Sequence, residues 1–109
     1  MVSPDIRRFE VWLVQFDPTQ GAEIHKTRPC VILSPDEMAP LRTALVAPMT
    51  SQGFAYTTRV PCTFQGKSGF VVLDQLRAVD KLRLVRRLGV LAEEEQRQVA
   101  ACLLEMFAW

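Results

Sequence analysis

The sequence has few of the residues that build metal centres, disulfide scaffolds and nucleotide-binding loops. Its three cysteines, Cys30, Cys62 and Cys102, form no CxxC pair, and His25 is the single histidine. This inventory has no zinc-ligand spacing, so we expect neither a metal nor another cofactor. No glycine-rich phosphate loop and no GxSxG motif occur, which argues against a P-loop enzyme and a serine hydrolase.

Net charge and long apolar segments are also missing. With 13 basic and 12 acidic side chains the formal net charge is +1, so an anion site must be a local concentration of charge. No apolar run is long enough to span a bilayer, and the first residues lack the apolar core of a signal peptide. We therefore expect a reduced, cytoplasmic protein with no membrane contact.

The chain has the size and pattern of one small domain, residues 1–109, with strands first and a helix last. Apolar runs predict strands at residues 9–16, 29–33, 43–47, 59–64, 70–73 and, more loosely, 84–91. Pro61 predicts an edge position or a bulge for the fourth strand. Apolar residues three and four apart predict an amphipathic helix at residues 93–107. The predicted fold class is mainly β with a C-terminal helix, as a curled sheet or partly open barrel.

Arg28 lies between Thr27 and Pro29, where a polar loop gives way to an apolar strand. Pro29 biases Arg28 toward an extended conformation, so the guanidinium is held at a rigid junction. There its donors can meet a phosphate or a carboxylate. A salt-bridged surface arginine is the alternative interpretation of this residue alone.

Further polar side chains collect at the ends of the predicted strands. They are Thr50 and Ser51 after the third strand, Asp74, Gln75 and Arg77 after the fifth, and Glu23 and His25 before Arg28. This inventory suits RNA cleavage, in which the 2′-hydroxyl of the substrate is the nucleophile. The protein then supplies a base, an acid and a group that stabilises the phosphorane, and no metal is needed.

Several fragments, taken in order, resemble the MazF/PemK family of toxin endoribonucleases. They are VWLV at residues 11–14, DPT at 17–19, TRP at 27–29, PMTS at 48–51 and GFVVLDQLR at 69–77. The resemblance implies an SH3-like barrel with a C-terminal helix, working as a homodimer. It also implies metal-independent cleavage of single-stranded RNA to a 2′,3′-cyclic phosphate and a 5′-hydroxyl. The implied partner is a cognate antitoxin, through which alone the toxin would meet DNA.

The resemblance assigns site residues position by position. Arg28 and Thr50 match the catalytic arginine and threonine, with Ser51 alongside. Asp74 matches a carboxylate that some members use as base, and Glu23 matches an acidic loop residue. Relatives that use this aspartate as base carry an arginine two positions earlier, where this chain has Val72.

Single-stranded RNA is read by loop side chains and aromatic rings. We therefore predict an RNA-binding set of His25, Gln52, Phe54, Tyr56, Gln75 and Arg77. Two other functions stay open. One is a CcdB-like gyrase poison, because the chain ends in the aromatic-rich MFAW at residues 106–109. The other is a non-catalytic RNA-binding module on the same barrel.

Overall fold

The computed structural model describes residues 5–16 and 27–109. Within these ranges the strands are β1 (Glu10–Gln15), β2 (Thr27–Ile32), β3 (Thr43–Thr50), β4 (Arg59–Phe64), β5 (Lys67–Val72), β6 (Arg77–Asp80) and β7 (Leu84–Val90), and the helix is α1 (Glu93–Met106). Short 3-10 turns lie at Asp36–Met38, Leu73–Gln75 and Lys81–Arg83. The predicted class, mainly β with a C-terminal helix, is confirmed.

The strands form one antiparallel sheet in the order β4-β5-β3-β2-β1-β7, and β6 pairs with β3 outside this path. Strand β3 is central because it has partners on both edges. It pairs with β2 on one edge, and on the other with β6 along its first half and with β5 at its end. The sheet curls so that the β4–β5 hairpin reaches β7, where Gln65 Nε2 donates to the Leu88 carbonyl oxygen at 3.3 Å.

The core lies on both faces of the central strands. On β2, Val31 packs into a cluster that contains Val99 of α1, whereas Cys30 and Ile32 belong to a second cluster with Trp12. A strand buried on both faces is apolar at every position rather than at alternate ones. This accounts for the continuous apolar run that predicted the strand.

Two predicted strand boundaries were wrong by three residues each, and one strand was missed. Strand β3 continues through Pro48 to Thr50, although Pro48 was expected to end it; Pro48 is paired with Cys30 in the antiparallel register. Strand β5 begins at Lys67, because the two-residue turn Gln65–Gly66, with φ 51° and 79°, extends the hairpin beyond its apolar part. Strand β6 was not predicted at all. Pro61 does mark an edge strand, as expected, because β4 ends the sheet.

The Glu10 side chain links β1 to β7 by an ion pair with Arg87. Its Oε2 accepts from Arg87 Nε at 2.8 Å, and its Oε1 accepts from Trp12 Nε1 at 3.0 Å and from the Arg7 amide at 2.9 Å. Burial raises the pKa of this carboxyl, but the hydrogen bonds outweigh burial and the pKa is lowered on balance. The ionised carboxylate therefore stabilises the native pairing of β1 with β7.

Candidate active site

A cavity of about 510 Å³ opens where β2 begins and β3 ends, against the β4–β5 hairpin. Its polar and charged lining consists of Arg28, Thr50, Ser51, Gln52, Gln65, Lys67 and Ser68. Among the lining residues in the described part of the chain, Arg28 and Lys67 carry the formal charges, and both are positive. The cavity is therefore suited to an anion with several hydrogen-bond acceptors.

Arg28 lies in extended backbone on β2, as Pro29 predicted, and pairs with Val14 of β1. On the other edge of β2, the printed pairing with β3 ends at Cys30 and Pro48. Continued by two residues, that antiparallel register sets Arg28 level with Thr50. Arg28 and Thr50 thus line the same cavity, although they lie far apart in the sequence.

Thr50 is oriented from two sides. Its Oγ1 accepts the Gln52 backbone N–H at 3.1 Å, which directs the hydroxyl proton away from that amide. Behind it, Gly69 of β5 is packed so closely that an added Cβ would lie 2.0 Å from the Thr50 carbonyl oxygen. No residue with a side chain fits there, so Gly69 sets the distance between β5 and the end of β3.

Asp74 does not line the cavity. It lies in the 3-10 turn after β5, where Thr58 Oγ1 donates to its Oδ1 at 3.0 Å. The Arg59 guanidinium contacts both carboxylate oxygens, at 3.3 Å through Nε and at 3.4 Å through Nη2. The hydrogen bond from Arg59 lowers the pKa of Asp74, which makes the carboxylate a weaker base.

Two comparisons with known proteins point to the same family. Residues 7–107 match a family model described as the PemK-like, MazF-like toxin of type II toxin–antitoxin systems. Endoribonuclease PemK of Escherichia coli is 37% identical over 102 residues, which cover 87% of this chain and 77% of that protein. The chain belongs to the PemK/MazF toxin family. The resemblance seen in the sequence is confirmed, and with it the endoribonuclease class at the level of the family.

Solved structures of this family share the fold. The MazE–MazF structure from Deinococcus radiodurans matches with a TM-score of 0.81 at 24% identity, over 94% of this chain and 96% of that one. A mycobacterial endoribonuclease in complex with its cognate antitoxin matches with a TM-score of 0.76 at 17% identity, over 95% and 98% of the two chains. The predicted small barrel with a C-terminal helix is thereby confirmed as the PemK/MazF fold.

The remaining predicted RNA-binding residues of this PemK/MazF chain divide into three groups. Gln52 lines the cavity, and Phe54 and Tyr56 follow it on an exposed loop. Gln75 and Arg77 do not line the cavity, and the Arg77 guanidinium lies 5.1 Å from the centre of the Phe16 ring. His25 lies outside the described residues, as does Glu23 of the predicted catalytic set.

Sequence reasoning missed the polar and glycine residues that the β4–β5 hairpin adds to the cavity, which are Gln65, Lys67, Ser68 and Gly69. Lys67 precedes the apolar run at residues 70–73 on which the strand prediction was based. A signal for Gly69 was present, because a glycine inside a strand indicates close approach of another backbone.

Within residues 5–16 and 27–109, no cluster of three histidine, cysteine or acidic side chains is arranged to hold a metal ion. No helix in the same ranges is long and apolar enough to cross a membrane.

Proposed function

We propose that this protein is a sequence-specific, metal-independent endoribonuclease toxin that cuts single-stranded RNA. The products would be a 2′,3′-cyclic phosphate and a 5′-hydroxyl, and the cleavage of RNA would inhibit translation and growth. The observation that carries the proposal is the meeting of Arg28 with Thr50 and Ser51 in one cavity whose charged lining is cationic. Membership of a toxin family and likeness to an endoribonuclease support it.

The chemistry follows from the donors that face the cavity. The 2′-oxygen attacks the adjacent phosphorus, and charge develops on the phosphoryl oxygens of the phosphorane. Arg28 stabilises this charge by its fork of fixed donors and can protonate the departing 5′-oxygen. A hydroxyl has one donor and two acceptor positions. Since Thr50 Oγ1 already accepts from Gln52, its proton is available to a phosphoryl oxygen, with Ser51 beside it.

Lys67 and the two carboxylates of the resemblance complete the proposal. Lys67 would neutralise a phosphate next to the cleaved one, since each phosphate contact adds salt-dependent affinity. The proton of the 2′-hydroxyl passes to a base. Asp74 is bound to Arg59 and does not line the cavity. For this step we therefore propose Glu23, which the resemblance gives only as an acidic loop residue.

The proposed partner is an acidic antitoxin segment that orders on a toxin homodimer and blocks the cationic cavity. The antitoxin complexes of the Deinococcus radiodurans MazF and of the mycobacterial endoribonuclease support this partner class. Contact with DNA would come only through the antitoxin. The protein would act in the cytoplasm, where its RNA substrate is.

The test is cleavage of a long, mixed-sequence single-stranded RNA in excess EDTA, with every new end mapped. We expect discrete cuts at one short motif, with 5′-hydroxyl ends. Arg28→Ala should lower kcat/KM by about 100- to 1000-fold, the usual cost of one charge-stabilising donor. Arg97→Ala is the matched control, because Arg97 lies on α1 and forms only an exposed ion pair with Glu93. No cleavage by the unaltered protein, or full cleavage by Arg28→Ala, would refute the proposal.

The gyrase-poison alternative depends on the C-terminal aromatic residues. Phe107 and Trp109 are indeed exposed, as a segment that binds another protein would be. Deletion of residues 107–109 distinguishes the two functions. An endoribonuclease keeps its cleavage, whereas a variant that loses toxicity and retains RNA cleavage would favour the poison. The non-catalytic RNA-binding module predicts that Arg28→Ala loses affinity for RNA and that no cut is ever made.

A further inference from the structure

An exposed aromatic pair lies on the loop that leaves the cavity. Phe54 and Tyr56 are 67% and 62% exposed, and their rings meet edge to face with centroids 6.4 Å apart. Large aromatic side chains are strongly favoured in the core and at interfaces. Two of them side by side in solvent therefore indicate a binding surface. We call Phe54 and Tyr56 the aromatic platform.

The aromatic platform is held in place by Arg59 and Asp74. The Arg59 guanidinium lies 5.3 Å from the centre of the Phe54 ring, a cation–π distance. Asp74 binds the same guanidinium with both carboxylate oxygens, and Thr58 holds Asp74 in turn. The Arg59 amide also donates to the Tyr56 carbonyl oxygen at 3.0 Å. Phe54 is thus oriented by a chain of polar contacts that begins at Asp74.

The platform is continuous with the cavity. Ser51 and Gln52 line the cavity, and Gly53 then turns the chain with φ 100°, a conformation that favours glycine. Phe54 is the next residue. A nucleotide strand whose phosphate sits at Arg28 and Thr50 would therefore carry a neighbouring base toward the platform.

We propose that Asp74 and Arg59 are positioning residues that hold Phe54 and Tyr56 as a stacking platform for one RNA base beside the cleaved bond. This inference rests on the proposed endoribonuclease function and deepens it by assigning a base-recognition subsite. Nucleobases stack on aromatic rings in single-stranded recognition. With the guanidinium over one part of the ring and two-thirds of Phe54 exposed, the ring can accept a base. RNA is favoured over the antitoxin as occupant because the platform continues directly from the phosphate-binding cavity.

The assignment changes the role of Asp74. A general base must reach the 2′-hydroxyl proton at hydrogen-bond distance or through one water, whereas Asp74 lies outside the cavity with both oxygens on Arg59. Its charge instead fixes the guanidinium that orients Phe54. Removal of this carboxylate should therefore weaken substrate binding more than the chemical step.

The first test separates positioning from base catalysis by kinetics. Asp74→Asn keeps an oxygen for Thr58 and removes the charge that holds Arg59. We expect KM to rise at least about fivefold and kcat to fall less than about tenfold, whereas loss of a general base lowers kcat by about 100- to 10,000-fold. Phe54→Leu should raise KM by about 5- to 150-fold, the equivalent of one stacked base, and should broaden the cleavage motif at one position. Phe54→Tyr should restore both. A kcat loss of 100-fold or more in Asp74→Asn would overturn the assignment.

The second test measures base stacking on the platform without RNA cleavage. Arg28→Ala protein is mixed with mixed-sequence single-stranded RNA that carries 2-aminopurine, whose fluorescence is quenched by stacking. We expect quenching that Phe54→Leu abolishes and Phe54→Tyr restores. If this quenching occurs and the unaltered protein never cuts RNA, the platform stands and the endoribonuclease proposal fails. If RNA is cut but Phe54→Leu changes neither the quenching, nor KM, nor the cleavage motif, the platform is refuted and the endoribonuclease proposal is retained. Loss of antitoxin binding with unchanged RNA binding would also refute it, and absence of RNA binding by the unaltered protein would refute both.

Discussion

Replacement of Gly69 by alanine should displace the proposed catalytic threonine directly. The new Cβ would lie 2.0 Å from the Thr50 carbonyl oxygen, 2.9 Å from its carbonyl carbon and 3.0 Å from Ser51 Cα. These are backbone atoms, so no side-chain rotation relieves the contact. Apart from atoms of its own and the adjacent residues, a Cβ essentially never lies closer than 3.0 Å to a heavy atom. The end of β3 and β5 must therefore separate by about 1 Å or more, since protein interiors have little free space.

A shift of this size has two measurable consequences. A misplacement of about 1 Å can lower the rate about 100-fold, because the reacting groups leave their productive geometry. Overpacking of this kind also costs about 1–3 kcal/mol of unfolding free energy. Single-turnover cleavage in EDTA at saturating protein measures the first effect, and urea denaturation followed by circular dichroism measures the second.

Gly66→Ala provides the matched control. Gly66 has φ 79°, and no atom lies within 4 Å of an added Cβ. Alanine there destabilises the fold only by the strain of a left-handed conformation, about 1 kcal/mol, and does not displace Thr50. We expect a similar loss of stability with cleavage close to that of the unaltered protein. Full activity and an unchanged urea midpoint in Gly69→Ala would refute the reasoning, as would an equal loss of activity in Gly66→Ala.

Three further predictions concern stability and reactivity. Glu10→Gln should lower the free energy of unfolding by about 1.5–3 kcal/mol at pH 7, because it removes hydrogen bonds to a charged group. Since the pKa of Glu10 is lowered in the fold, this contribution is present above the ordinary value of 4.5 and is lost as the pH falls through the folded-state value. The stabilities of the two proteins in urea titrations should therefore converge as the pH falls below the folded-state pKa of Glu10, and a difference that stays constant with pH would contradict this. Iodoacetamide at pH 8 should label native Cys62 and Cys30 slowly, because burial raises the pKa of Cys62 to about 11 and of Cys30 to about 12; rapid labelling seen by mass spectrometry would contradict burial. Leu73→Ala should cost about 2–5 kcal/mol because Leu73 is fully buried, whereas Leu104→Ala, at a residue that is 75% exposed, should change stability by less than about 0.5 kcal/mol.

Local chemistry determined much of the fold in advance. Pro29 makes Arg28 extended, Pro61 confines β4 to an edge, and the apolar spacing after Glu93 makes a helix. These features depend on a few neighbouring residues, so the sequence alone predicted them. Strand β6 was not predicted because its four residues, RAVD, include one buried residue and so form no apolar run. Its hydrogen bonds come from β3, more than 30 residues earlier in the chain.

The candidate site shows the same division. The type and order of its residues identified the family and picked out Arg28, Thr50 and Ser51, because these lie at strand ends where local pattern is informative. The sequence also offered Asp74 as a base. Whether its carboxylate binds Arg59 or lines the cavity is decided by the pairing of β4 with β5, which sets Arg59 opposite Val72. The place of Gly69 against Thr50 is likewise a consequence of the β3–β5 register. Residue chemistry is a property of the sequence, whereas the side chains that meet are decided by long-range strand pairing and packing.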